Sequence, residues 1–163
     1  MAVFMSTIAG KIDAKGRVSV PSAFRSVISA QNNDPSGQPS IFIYPSFTEA
    51  AIEGGGQILM DKYSAMLDPL APFTKENDAL ANSLFADAHS LKCDADGRVS
   101  LPEDLLAHAG IEQELCFVGQ RSKFQIWNPQ KYAEFRARAR EQALQNRALL
   151  GSLSSSEPPG GRG

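Results

Sequence analysis

Asp13-Ala14-Lys15-Gly16-Arg17-Val18-Ser19-Val20-Pro21-Ser22 returns 81 residues later as Asp94-Ala95-Asp96-Gly97-Arg98-Val99-Ser100-Leu101-Pro102-Glu103, with seven of the ten positions identical. Self-similarity at a fixed offset is read before any single element, because it decides the architecture. Beyond the proline, Ala23-Phe24-Arg25 faces Asp104-Leu105-Leu106. Further on, Ile41-Phe42-Ile43-Tyr44-Pro45 resembles Phe124-Gln125-Ile126-Trp127-Asn128 at an offset of 83. The chain therefore reads as two copies of one supersecondary unit.

Each copy has a local physical reading. Residues 8–12 and 17–20 are short β-prone runs flanking a tight connection, and Gly16 supplies the positive φ such a loop needs. Asp13 suits the entry to the turn, because its short carboxylate accepts hydrogen bonds from backbone amides two or more residues on. Alternation places Val18 and Val20 on one face and Arg17 and Ser19 on the other. Pro21 cannot donate to a ladder, so it ends the strand, and a helix with Phe24, Val27 and Ile28 inward follows. In the second copy Gly97 turns, Val99 and Leu101 point inward, Pro102 stops the strand and Gly110 ends the helix. One or two more strands follow each helix, ending near Tyr44 and Trp127. One copy has too little core to stand alone. Two copies packed about a pseudo-twofold axis can share one.

The spacing of Leu59, Met60, Tyr63, Met66 and Leu67 predicts a helix between the copies, broken by Pro69 and Pro72. Thr74 is the expected N-cap of a second helix running to about Ala88, with Leu80, Leu84 and Ala88 on one stripe. Asn128-Pro129 opens a long helix that carries Arg136, Arg138, Arg140 and Arg147, with Tyr132 and Phe135 expected to pack it onto the core. The expected organisation is a first repeat at 4–50, a helical insert at 51–90, a second repeat at 91–128, a C-terminal helix at 129–150 and a disordered, low-complexity tail at 151–163. Gly54-Gly55-Gly56 lacks the Lys-Ser/Thr of a phosphate-binding loop and reads as a flexible connection.

The 163 residues carry 16 bases and 18 acids, a net charge of −2. The distribution is uneven. Residues 1–25 hold four bases against one acid, residues 26–120 four against fourteen, and residues 121–163 eight against three. Local fields steer partners, so the average does not argue against a polyanion. With 42% hydrophobic and 21% charged residues the chain is neither wholly disordered nor fibrous. No run approaches the ~20 apolar residues of a membrane helix, and no basic segment precedes the apolar residues at the N-terminus, so neither a span nor a secretory signal is expected. Cys93 and Cys116 with His89 and His108 form no disulfide framework or zinc spacing, so no metal is expected and a reducing cytoplasm is the default. Cys93 aligns with Ile12 and reads as a small core residue. No serine, histidine and acid arrangement suggests nucleophilic catalysis, and no cofactor is implied.

The sharpest signal is the repeated Asp-x-x-x-Arg element. One reading is a turn-stabilising Asp with a cross-turn ion pair, a small contribution if exposed. The other is that Lys15 and Arg17, lifted on an exposed hairpin, reach phosphates or base edges, since arginine's planar fork matches both. The same positive patch takes in Lys11 and Arg25. The C-terminal arginines read as a solvated face, or as a surface for subunit contact or nonspecific DNA attraction.

Phe4-Met5-Ser6-Thr7, Lys11 through Pro21, Asp94-x-x-Gly97-Arg98-Val99-Ser100-Leu101-Pro102 and Phe124-x-Ile126-Trp127 resemble the bacterial MraZ family over roughly residues 4 to 140. The resemblance implies an α+β fold: two pseudo-twofold-related swapped-hairpin units of the AbrB type forming one β-barrel core, with helical insert and C-terminal helix. It also implies a ring-forming, non-enzymatic regulator, cytoplasmic and nucleoid-associated. Such a regulator binds direct repeats in double-stranded promoter DNA of the division and cell-wall gene cluster, its own gene included. Asp13 and Arg17, and Asp94 and Arg98, take the family's paired motif positions, with Gly16 and Gly97 at the turns. The copies differ: Lys15 is matched by Asp96 and Arg25 by Leu106. Hairpin one is therefore expected to dominate DNA contact, with Arg98 a lesser contact or a partner of Asp94. The competing reading is an oligomeric protein-interaction module with no direct DNA binding.

Overall fold

Each copy begins with a strand, a four-residue turn and a three-residue strand that a proline stops. In the computed structural model, which describes residues 2–155, these are β1 (Thr7–Lys11) and β2 (Arg17–Ser19), then β5 (His89–Lys92) and β6 (Arg98–Ser100). A helix follows each proline, α1 (Ser22–Asn32) and α4 (Glu103–Ala109). Both helices close on a left-handed residue, Asn33 and Gly110. The amide of Asp34 then bonds the Ser29 carbonyl at 3.0 Å and that of Ile111 the Leu106 carbonyl at 2.9 Å. This satisfies carbonyls that a helix end otherwise leaves open. Two strands complete each copy, β3 (Ser40–Pro45) and β4 (Ile52–Gly55), and β7 (Glu114–Gln120) and β8 (Lys123–Trp127). Between the copies lie α2 (Gln57–Leu67) and α3 (Lys75–Ala81), the latter continued by a π-helical turn, Asn82–Ala86.

The pairing interleaves the copies. A six-stranded antiparallel sheet runs β1-β7-β8-β4-β3-β5, and a separate ribbon pairs β2 with β6. The first strand of each copy thus pairs with the third of the other, Ile8 opposite Phe117 and Leu91 opposite Ile41. At the centre β4 meets β8, with Ile52 opposite Ile126. The topology equates β3 with β7 and β4 with β8. The offset-83 similarity of Ile41–Pro45 to Phe124–Asn128 therefore matches strands that occupy different places, both reading as short apolar-aromatic runs.

The closed β-barrel is not found. β1 and β5 are the two edges of the six-stranded sheet, and β2 and β6 pair with each other instead of joining those edges. The cause is local. Pro21 and Pro102 limit β2 and β6 to three residues, enough for one short ribbon and too few to bridge the sheet. The overall class is α+β.

The core lies on the sheet face that α1, α4 and the ribbon cover. Val18, Val20, Phe24 and Ile28 of the first copy meet Val99, Leu101, Leu105 and Phe117 of the second, all buried. Phe4 meets Phe24 and Phe124 edge-on at 5.3 and 5.2 Å between ring centres, the pairing that ring quadrupoles favour, and Phe24 lies tilted against Phe124 at 5.6 Å. The opposite face holds Phe42, Tyr44, Leu59 and Leu84, where the insert packs. β3 is buried on both sides, Ile41 and Ile43 to one and Phe42 and Tyr44 to the other.

That second face also buries a polar network. Glu53 accepts hydrogen bonds from the Tyr44 hydroxyl at 3.0 Å and Gln125 Nε2 at 2.8 Å, and pairs with Lys123 Nζ at 3.0 Å. Tyr44 also meets the Tyr63 hydroxyl at 2.8 Å, tying α2 to the sheet. Buried polar groups are tolerated when every member is satisfied, as here.

Two local expectations are corrected. Gly54 and Gly55 are buried in β4 and do not form a flexible connection. A Cβ on Gly54 would lie 2.8 Å from Ile43 Cγ2 and 2.9 Å from the Phe42 carbonyl oxygen, so the glycine permits close packing. The helix expected from Lys75 to Ala88 keeps its cap, Thr74 accepting from the Asn77 amide at 3.2 Å, but the π turn shifts its phase. Leu84 turns inward while Leu80 is left partly in water.

Residues up to Pro129 form one unit and those from Gln130 a second. α5 (Pro129–Ser155) opens at the expected proline, supplies the second unit from Gln130 on and continues past residue 150. Within it the Tyr132 and Phe135 rings lie tilted against each other with centres 6.3 Å apart. Residues 156–163, part of the expected tail, lie outside the described residues.

Candidate functional site

β2 and β6 pair antiparallel, with Val18 opposite Val99 and Arg17 opposite Ser100, so the two turns stand at opposite ends of a three-residue ribbon, close enough for Arg98 Nη1 to lie 4.0 Å from Asp13 Oδ2. Each turn is built by its own aspartate. Asp13 Oδ1 accepts the amides of Lys15 at 2.9 Å and Arg17 at 2.8 Å, and Asp94 Oδ1 those of Asp96 and Arg98, both at 2.9 Å. Gly16 and Gly97 take φ of +80° and +77°, values that L side chains rarely adopt. These backbone bonds, first those from Arg17 and Arg98, hold both aspartates below the usual carboxylate pKa.

The strands flanking each turn then part company. β1 enters the large sheet while β2 enters the ribbon, so the turn closes through Asp13 N to Arg17 O at 2.8 Å without a longer ladder. This lifts residues 14–16 clear: Ala14, Lys15 and Gly16 are exposed.

The arginines are held unequally. Arg17 directs Nε and Nη2 at Asp13 Oδ2, both at 3.0 Å. Arg98 reaches further. Its Nη2 donates to Asp96 Oδ2 at 2.7 Å, its Nε lies 3.6 Å from Asp94 Oδ2 and its Nη1 4.0 Å from Asp13 Oδ2. Its Nε is buried without a hydrogen-bond acceptor among the described residues. Arg98 is thus engaged by three carboxylates and Arg17 by one.

Arg25 belongs to the second turn and not the first. Its Nε donates to the Val20 carbonyl at 3.1 Å, and its guanidinium lies over Gly97, where a Cβ would approach Cζ to 2.5 Å. Gly97 is consequently buried, whereas Gly16 has nothing within 4 Å of its Cβ position. Leu106, the counterpart of Arg25, packs against the core. Residues 13–17 carry +1 and residues 94–98 carry −1, and Arg25 brings the second turn to neutrality. Lys11, at the end of β1, is exposed but stands opposite Glu114 of β7. Lys15 is exposed, and no side-chain partner is found for it among the described residues.

The structure therefore brings together Asp13, Lys15, Gly16, Arg17, Asp94, Gly97, Arg98 and Arg25, and leaves Lys11 at the margin. Sequence reasoning missed the allegiance of Arg25 because its contact crosses between copies. The Arg25–Leu106 mismatch in the alignment was the available signal. It also undervalued Asp96, whose side chain is 72% exposed at the tip of the second turn.

No group of three or more metal-ligating side chains exists among the described residues, and none of their helices is long and apolar enough to cross a membrane. A family model described as "MraZ protein, putative antitoxin-like" matches residues 84–150. The chain is 43% identical over 148 residues to the transcriptional regulator MraZ of Pelagibacter ubique, covering 91% of this chain and 92% of that protein. The protein of the same name from Parvibaculum lavamentivorans is 42% identical over 164 residues, covering 100% and 99%. That of Gluconobacter oxydans is 40% identical over 143 residues, covering 88% and 86%.

Proposed function

The chain belongs to the MraZ family, and from that premise we propose that it is a non-enzymatic, DNA-binding transcriptional regulator whose paired turns face the duplex. The observation that carries this reading is the β2–β6 ribbon, which holds an Asp-x-x-x-Arg turn at each of its two ends, with Lys15 exposed on the first. In each turn the aspartate accepts two backbone amides and also engages the arginine, so the guanidinium is held in place before a ligand arrives. An oriented guanidinium loses less freedom on binding a phosphate or a guanine edge than a mobile one.

The two turns play different parts. The first, at +1 with a free-standing lysine, is the main phosphate contact. The second presents Asp96 and an Arg98 already surrounded by acids, with Arg25 replacing the lost charge. One copy offers few cations, so useful affinity calls for several copies on repeated promoter elements, the protein acting as a homo-oligomer that occludes the promoter. The swapped-hairpin relation of the two units, action on the division and cell-wall genes including its own, and residence at the nucleoid belong to the same reading.

The test is a binding titration on duplex DNA from upstream of the protein's own gene, with excess competitor DNA. Arg17→Ala should weaken binding about tenfold or more, the scale of one lost charged hydrogen bond of ~1.5–3 kcal/mol. Arg98→Ala should weaken it less. Equal losses remove the asymmetry. No binding by the wild type at moderate salt, with the protein assembled, sinks the DNA reading in favour of a protein-interaction module.

A further inference from the structure

The first unit holds a pocket of about 310 Å³ that shares no described lining residue with the paired turns. It forms where α1, α2, the N-terminal segment and the β7–β8 loop meet. Its walls include the aliphatic side chains of Ala2, Val3, Ala30 and Ile58, the last 56% exposed. Two cations from separate elements complete it, Lys62 of α2 and Arg121 of the loop, with Ser122 beside the arginine. Among the described lining residues there is no carboxylate and no aromatic ring. The volume lies at the lower end of the roughly 300–1,000 Å³ of small-molecule pockets, which combine apolar walls with a few convergent polar groups.

Neither cation's side chain makes a hydrogen bond or ion pair among the described residues. The positions one turn from Lys62 on α2 are Ile58, Leu59, Ala65 and Met66, so no acid on the helix offsets it. Asp61, next to it in the chain, accepts from Gln57 Nε2 at 2.8 Å instead. Arg121 opens the two-residue β7–β8 loop with φ of +67°, a conformation for which glycine is favoured. Its backbone is fixed there: its amide donates to the Phe4 carbonyl and its carbonyl accepts from the Phe4 amide, both at 2.8 Å. The fold thus carries backbone strain to place a guanidinium that no described group of the chain uses. Strain of this kind persists where its surroundings over-determine it, and it collects at ligand sites.

We propose that this pocket binds a small amphipathic anion, with a phosphate or carboxylate head between Lys62 and Arg121 and a short aliphatic chain against Val3, Ala30 and Ile58. The head gains charge-assisted hydrogen bonds from two cations, and the arginine fork takes two of its oxygens at once. The body is aliphatic because the walls offer no ring on which a planar base could stack. Duplex DNA brings phosphates without an apolar body and leaves these walls in water. The site stands apart from what the paired turns bind.

Isothermal titration calorimetry of the full chain with octyl phosphate and with octanoate, each below its micelle-forming concentration, tests the site. Saturable binding of one molecule per chain is expected, and the tighter of the two identifies the head. Octanol and inorganic phosphate, which each carry half of the ligand, should bind about tenfold more weakly or worse. Lys62→Gln with Arg121→Gly should weaken the tighter ligand about tenfold or more, the scale of one lost charge-assisted hydrogen bond. Ile58→Ser should weaken it several-fold. All three positions are exposed, and glycine suits the φ of residue 121, so folding is retained; a thermal melt checks it. The proposal is overturned by the absence of saturable binding of either amphiphile, by either half-ligand matching them, or by undiminished binding in the double variant. A double variant that binds the amphiphiles as the wild type does but loses DNA affinity overturns it too and assigns the two cations to the duplex.

Discussion

Asp13 and Asp94 each carry three duties: closing a turn, orienting an arginine and keeping a charge. Their carboxylates are held below the ordinary value of 3.8 chiefly by backbone amides, those of Arg17 and Arg98, and then by the guanidinium groups and neighbouring amides. A depressed folded-state pKa stabilises the fold above the unfolded value and ceases to do so as pH falls through the lower, folded value. The turn should therefore be intact at neutral pH and lose this support below about pH 3.8. Asp13→Asn, whose amide oxygen accepts the backbone bonds without charge, is expected to be less stable than the wild type at pH 7. The gap should close as pH drops below the carboxylate range, followed by urea denaturation at pH 7, 5 and 3. A gap undiminished at pH 3 would show that the carboxylate's charge is not what matters. Gly97 adds a second condition at this scale, because any side chain there must displace the Arg25 guanidinium as well as adopt a positive φ.

Between elements, the insert is joined to the sheet by polar groups as well as by apolar packing. Tyr44 of β3 bridges Glu53 of β4 and Tyr63 of α2, with its ring 5.2 Å from Phe42 and 5.4 Å from Tyr63. Burial and the adjacent Glu53 charge raise the Tyr44 phenol pKa far above its usual value, so it remains a donor throughout the accessible pH range. Tyr44→Phe keeps the ring and removes the hydroxyl, leaving Glu53 and Tyr63 short of a partner. The expected cost is about 1–3 kcal/mol in denaturant unfolding; a change below about 0.5 kcal/mol would mean that water replaces the hydroxyl. What the sequence could convey at this scale follows from range. The turns, the proline stops, the inward Phe24, Val27 and Ile28, and the Thr74 cap are local, and each was legible. β4 was not, because its glycines erase the alternation by which strands are recognised, and the close neighbours of Gly54, Ile43 and Phe124, come from other strands. Arg25 was assigned to the wrong turn for the same reason: its position in the chain says nothing of Gly97, which lies in the other copy of the repeat.

For the molecule as a whole, the near-neutral charge conceals three surfaces of opposite sign: the first turn, the acidic insert and the basic α5. If the paired turns bind DNA through Lys11, Lys15, Arg17, Arg25 and Arg98, one copy neutralises at most five phosphates, and the logarithm of affinity should fall with the logarithm of salt at a slope of about −4.5. A slope of about −9 or steeper is expected for the wild type, because more than one copy engages the duplex. A measured slope of about −4.5 or shallower would confine binding to a single copy. The interleaved sheet has a further consequence, for synthesis on the ribosome. Thr7 finds its partner in Val118, 111 residues later. At ~5–20 residues per second, β1 waits about 5–20 s for the strand it pairs with. The first repeat has no complete fold of its own to adopt in that interval. Its exposed strand edge is then open to chaperones and to other nascent chains, so polysome spacing bears on the yield of native protein as directly as any side chain in the core.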